Sequence, residues 1–198
     1  MNEQTQRFSS PVQRLTLGAI LTALVIVLQL LGSFIHFGIF SVSLVLIPIV
    51  VGASLCGPWI GAWLGFAFGV TVLLSGDAAA FLAVNVPGTI LIVLLKGTLC
   101  GLCAGLVYRW LSKWNRYLAV FAAAIVCPVV NTGIFLIGCG LFFFETVAEW
   151  AAGAGFGANA VKYMFLGLAG GNFLFELGFN IVLSPVIVRL LDATKKIR

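Results

Sequence analysis

The stretch from Pro87 to Trp110, PGTILIVLLKGTLCGLCAGLVYRW, sets the strongest limit on what this chain can fold into, because an apolar run of membrane length carries one lysine, Lys96, far from either end. A helix crosses the hydrocarbon core with about 20 apolar residues at roughly 1.5 Å each, so the run reads as a spanning helix with a cation inside it. A cation at that depth needs a partner. Only one carboxylate is placed comparably, Glu176 in the last apolar run, with Asn172 and Asn180 four residues to either side. That spacing puts all three on one helical face, which cannot look at lipid.

The rest of the chain has the same character. Of its 198 residues 62% are hydrophobic and only 9% charged, with a mean hydropathy of +1.17, against about 25% charged in a typical soluble domain. The expectation is a single all-α integral membrane domain over 1–198, with room for five or six spans. A net charge of +5 does not point to nucleic acid, since the basic residues are scattered over short loops. The cysteines Cys56, Cys100, Cys103, Cys127 and Cys139 lie inside or at the edge of apolar runs and read as small packing residues. The C-x-x-C at Cys100 and Cys103 lacks the second pair or nearby histidine that a metal or redox site would need, so no metal and no cofactor is expected.

Six spans are expected, at about 15–31, 42–55, 59–74, 88–111, 117–144 and 163–191. The first is expected to be retained, since it is longer than a signal-peptide core and no small-residue cleavage site follows. It carries Gly18, Ala19, Thr22 and Ala23, whose small-xxx-small spacing admits a close helix, within the chain or from a partner. The linker Gly32–Ser41 holds the only histidine, His36, a candidate for solute contact. Pro48 favours a kink in the short second span. Gly57, Gly61, Gly65 and Gly69 repeat every four residues along the third span, and Gly97, Gly101 and Gly105 do so along the fourth, so each offers a smooth face to a neighbour. Asn85 and Pro87 precede the fourth span, and Pro128 loosens the fifth beside Asn131. Glu145 and Glu149 lead into a segment, Ala151–Ala160, read as a flexible glycine/alanine loop. Trp59, Trp63, Trp110, Trp114 and Trp150 read as interfacial anchors.

With six spans both termini share one side. Arg7, Arg14, Arg109, Lys113, Arg116, Arg189, Lys195, Lys196 and Arg198 then fall there, nine of the eleven basic residues. The positive-inside rule makes that side cytoplasmic. A five-span arrangement would split the basic loops across both faces.

Lys96, Asn131, Asn172 and Glu176, with Asn85 and His36 nearer the outer surface, are the candidate solute-binding residues. Two readings of Lys96 and Glu176 stand open: an ion pair that fixes two helices, or a site that meets a solute or its ordered water. No H-E-x-x-H, G-x-S-x-G, Walker loop or close pair of mid-depth carboxylates is present, so the chain does not read as an enzyme. A binding subunit of a transporter, a self-sufficient secondary transporter or channel, and an intramembrane enzyme or assembly factor are the functions in play, in that order.

Ala19-x-x-x-Ala23 after a basic polar N-terminus, LCGP-x-x-GA-x-x-G from Leu55 to Gly65, and KGTLCGLCAGL from Lys96 to Leu106 together resemble the substrate-binding subunit, or S component, of energy-coupling factor (ECF) vitamin transporters. The likeness covers nearly the whole chain. It implies capture of a water-soluble vitamin or precursor, such as pantothenate or riboflavin, from outside a prokaryotic plasma membrane. It also implies docking, through Gly18, Ala19, Thr22 and Ala23, on a transmembrane coupling (T) subunit that works with two ATPase subunits.

Overall fold

A computed structural model describes residues 11–33, 36–37, 40–41, 44–157 and 159–196. In chain order these form α1 (Pro11–Gly32), β1 (His36–Phe37), β2 (Phe40–Ser41), α2 (Leu46–Cys56), α3 (Pro58–Ser75), α4 (Ala79–Leu82), α5 (Val86–Leu111), α6 (Arg116–Phe142), α7 (Phe144–Gly153), α8 (Ala160–Lys162), a π-helix (Tyr163–Gly170) and α9 (Gly171–Lys196). The two strands pair antiparallel, His36 with Ser41 and Phe37 with Phe40.

Among the described residues five helical stretches are long and apolar enough to cross a membrane: Val12–Gly32, Pro58–Ser75, Val86–Leu111, Arg116–Phe142 and Ala160–Arg189. The expected second span is shorter than the sequence suggested. α2 has 11 residues, about 16 Å of helix, roughly half the hydrocarbon core. It is buried among its neighbours, with Leu46, Ile49 and Val50 fully enclosed. Pro48 is the third residue of α2, in the first turn, where a missing N–H removes no intrahelical bond; the kink expected there is replaced by a helix start.

Local signals set the ends of the other helices. Gly57 takes φ 102° and hands the chain to Pro58 at the start of α3, and Gly76 ends that helix at φ 88°, conformations that cost a glycine little. Asn115 opens α6 by accepting from the backbone N–H of Tyr117 and Leu118. Of the expected loop, 154–157 form turns and a bend, while Ala151 to Gly153 close a short helix that begins before it. Phe144–Gly153 is helical, with Val147 and Ala151, one helical turn apart, turned inward and fully buried. Trp150, expected at the interface, is half-buried and packs edge-on against Phe81, ring centroids 5.3 Å apart.

The tightest packing joins α3 and α5, which run antiparallel through their glycine stripes. A side chain added at Gly61 would meet the Gly101 carbonyl, one at Gly65 the Gly97 carbonyl, one at Gly69 the Val93 carbonyl, and one at Gly105 the backbone of Pro58. Backbones this close leave room for no side chain on either helix at these levels. The contact makes α3 and α5 one rigid unit. On that unit and α6 rest Leu46, Ile49, Leu64, Ala104, Ala119, Ala123 and Ile187, a solid apolar core filling the end of the bundle that holds Arg109 and Arg116. The other end is looser, and there a second cluster gathers Ile92, Cys139, Phe143, Val147, Ala151, Tyr163 and Leu168.

Candidate functional site

Between these two clusters the bundle encloses a cavity of about 110 Å³, several times the roughly 10–15 Å³ that one water needs. Every wall comes from the half of the bundle that carries α4, α7 and the loop at Gly76: Gln29 from α1, Phe68 and Val72 from α3, Asp77 and Phe81 from the α3–α5 connection, Thr89 to Lys96 from α5, Asn131 to Phe143 from α6, and Leu168 to Glu176 from the π-helix and α9. It is closed at depth by the core below it.

Lys96, Asn131, Asn172 and Glu176, predicted from four separate positions in three helices, all line this one space. Lys96 and Glu176 make no direct ion pair; among the described residues the one ion pair joins Arg116 and Asp192 at 3.0 Å. The Lys96 ammonium instead lies 5.6 Å from the centroid of the Phe68 ring and 5.4 Å from that of Phe135. Two such faces contribute about 0.5–2 kcal/mol each, which falls short of the several kcal/mol that taking an ammonium out of water costs.

The Glu176 carboxylate is hydrogen-bonded through one of its two oxygens. Asn172 donates to Glu176 Oε1 at 3.1 Å, and Asn180 donates to the Glu176 backbone carbonyl at 2.8 Å. Glu176 is 1% exposed and Asn131 4%, yet Glu176 Oε2, Asn131 Oδ1 and Asn172 Oδ1 have no hydrogen-bond partner. Buried polar atoms are paired in the great majority of cases, so three orphan acceptors around one space mark a place where donors are missing. The π-helix contributes to this arrangement. Its wide turn seats Leu168 and Ala169 on the wall just before Asn172, and π segments inside α-helices recur at functional sites.

Other predicted residues fall elsewhere. Asn85 caps α5, its side-chain oxygen accepting from the Gly88 N–H at 3.0 Å, and neither it nor Pro87 reaches the cavity. Asparagine before proline at the start of an apolar run is a capping signal in its own right. His36 lies in β1, and its side chain falls outside the described residues. The four small residues of α1 divide. Gly18 is buried against Ile60, and Thr22 accepts from Trp63 Nε1 at 3.2 Å, whereas Ala19 and Ala23 are exposed. Around those two alanines Leu15, Ile20 and Val27 stand out with more than half their surface free.

Sequence reasoning missed Gln29, Asp77, Thr89, Thr132 and the aromatic walls. Gln29 donates through Nε2 to Asp77 Oδ2 at 2.5 Å, with Ser75 Oγ 3.2 Å from the same oxygen, so the end of α1 is tied to the loop that follows α3. Gln29 was visible as an amide in an apolar run, and Asp77 as the acid of its loop. Their pairing across 48 positions was not. Phe81 lines the cavity and meets Phe135, Phe143 and Trp150 edge-on at 5.6, 5.1 and 5.3 Å, an aromatic cover over the polar floor.

No curated protein and no solved structure matches the chain. A family model does: that of the ECF transporter substrate-specific component, over residues 13–188. The match takes in all five long apolar helices, the short α2 and the entire lining of the cavity. A multi-pass helical membrane protein with a one-ended, polar-floored pocket and a family match of this extent belongs to the substrate-specific components of ECF transporters.

Proposed function

We propose that this chain is the high-affinity capture subunit for a water-soluble vitamin or related micronutrient, binding it in the cavity around Lys96, Asn131, Asn172 and Glu176. Family membership supplies the substrate-binding role in a membrane, in association with coupling and ATPase subunits. The observation that carries the site is the convergence of an ammonium without a direct ion pair and three unpartnered acceptor atoms on one cavity. Its aromatic walls and few polar groups match what small-solute pockets are made of.

In this reading the solute enters from the end that bears α4 and α7, which faces outside the cell; the clustering of basic residues at the opposite end supports that orientation. Both termini then lie in the cytoplasm, and α2 completes a sixth, partial crossing. The exposed face of α1 around Ala19 and Ala23 meets the coupling subunit, which acts with two ATPase subunits in a prokaryotic plasma membrane. A self-sufficient transporter or channel would need a path through the other half, and the Gly61–Gly101 and Gly65–Gly97 contacts with the apolar core beneath them oppose one.

The test is direct. Protein purified from its native membrane is examined by native mass spectrometry for a co-purified small molecule, and the identified compound is titrated back by calorimetry without ATP. One-to-one, ATP-independent binding is expected. Flux of that solute into liposomes containing this chain alone would overturn the assignment, and a reporter fused to the C-terminus tests the cytoplasmic placement.

A further inference from the structure

The walls of the cavity specify the chemistry of the solute further than the family does. Lys96 offers ammonium N–H donors and, among the described residues, has neither a hydrogen-bond acceptor nor a carboxylate within bonding range. On the same lining, Glu176 Oε2, Asn131 Oδ1 and Asn172 Oδ1 are buried acceptors without donors. The amide of Asn172 has its orientation fixed, because its nitrogen is the atom that donates to Glu176 Oε1; its oxygen is therefore the free end. One wall thus wants an acceptor and the other wants N–H donors.

The charges of the two walls cancel. Lys96 as ammonium and Glu176 as carboxylate are one base and one acid on the same cavity, and the two sum to zero. Asp77, the other acid on the lining, keeps its negative charge at the loop end, where Gln29 donates to it and Ser75 lies beside it, so the balanced part of the cavity is the part around Lys96 and Glu176. A solute with net charge would upset this balance in a space where unpaired charge is costly. A neutral solute with both donor and acceptor satisfies it. The remaining lining, Phe68, Phe81, Phe135 and Phe143, suits the face of a flat ring.

We propose that the cavity selects an uncharged, flat ring compound bearing N–H donors beside a carbonyl, as in an amide, lactam or imide: the carbonyl accepts from Lys96 and the N–H groups donate to Glu176, Asn131 and Asn172. The inference rests on the binding-subunit reading above and narrows it to a chemical class. It predicts a preference set by neutrality, and a different preference when either member of the acid–base pair is removed.

The experiment uses the full chain in lipid nanodiscs and three rings of equal size: benzamide, benzoate and benzamidinium, a neutral N–H/carbonyl group, an anion and a cation. Binding is read by ligand-observed NMR and calorimetry at up to about 1 mM. Benzamide is expected to bind at least about tenfold more tightly than either ion. Glu176→Gln is expected to move the preference toward benzoate, and Lys96→Gln toward benzamidinium. An ion binding most tightly to the unaltered protein, or a preference that neither substitution moves, would falsify the assignment. So would no binding by any of the three while native mass spectrometry finds another small molecule held by the protein. If no small molecule is held at all, it is the binding-subunit reading that fails, and this inference with it.

Discussion

The carbonyl oxygen of Gly97 occupies the position where a side chain on Gly65 would begin, and the carbonyl of Gly65 does the same to Gly97. This reciprocal contact locks α3 to α5 and so fixes the level at which the adjacent Lys96 enters the cavity. Gly65→Ala is expected to destabilise the protein by about 3 kcal/mol or more, since a methyl group driven onto backbone has nowhere to relax. Gly178→Ala, at a helical position with open space around it, should leave stability unchanged or slightly raised. Thermal unfolding of the two variants in the same detergent checks the contrast.

Lys96→Met keeps the length and most of the volume of the side chain and removes its charge. Because Lys96 makes no direct ion pair with Glu176, the fold does not hang on that contact. Solute affinity is expected to fall about tenfold or more, the scale of one lost charged hydrogen bond, with the gel-filtration profile unchanged. A variant that cannot be purified folded would show that the lysine serves the packing of α5 instead.

How much of this was legible beforehand divides along a physical line. The four-residue glycine period and the Asn172–Glu176–Asn180 face were readable because a helix repeats its own geometry, so neighbours in space are neighbours at fixed spacing. Lys96, Asn131 and Glu176 stood out because charge and amide are rare in apolar runs. The aromatic lining was not readable: phenylalanine facing a cavity and phenylalanine facing lipid carry the same local signal, and Phe81 is marked only by its three distant partners. Asn85 was misplaced for the opposite reason. It serves its own helix start, and a capping asparagine and a solute-binding one carry the same polar signal in the sequence.

Phe81→Ala removes three edge-on ring contacts at once. A loss of about 2–3 kcal/mol in stability is expected, with a larger proportional effect on solute release, since the ring covers the cavity. Phe81→Leu should recover most of the stability and little of the slow release. Stopped-flow dissociation of the identified solute distinguishes the two effects.

Asp77→Ala removes the carboxylate to which Gln29 donates and cuts that tie between the end of α1 and the loop after α3. Solute dissociation is expected to quicken about tenfold or more, by analogy with the 1.5–3 kcal/mol assigned to hydrogen bonds with a charged partner. Arg116→Ala provides the comparison, because the Arg116–Asp192 pair lies partly exposed at the opposite end and such pairs contribute within about 1 kcal/mol. Solute binding should be indifferent to it.

Ala19→Trp and Ala23→Trp place bulk on the exposed face of α1 and touch nothing within the chain's own core. Co-purification with the coupling subunit is expected to be lost while calorimetric solute binding stays within about twofold. Loss of solute binding in these variants would place the face within the capture machinery.

The π-helix at Tyr163–Gly170 has one more consequence. An α-helix turns about 100° per residue, and a π turn absorbs an additional residue without lengthening the helix by a full step. The angular phase of everything after Gly170 is therefore set by this insertion. Removing one residue between Tyr163 and Gly170 would rotate Asn172 and Glu176 by about a quarter-turn, carrying their polar edge off the cavity. The last helix is indexed to the site like a key cut with an offset, and a shift in that offset would give the cavity a different floor without altering the glycine-locked scaffold.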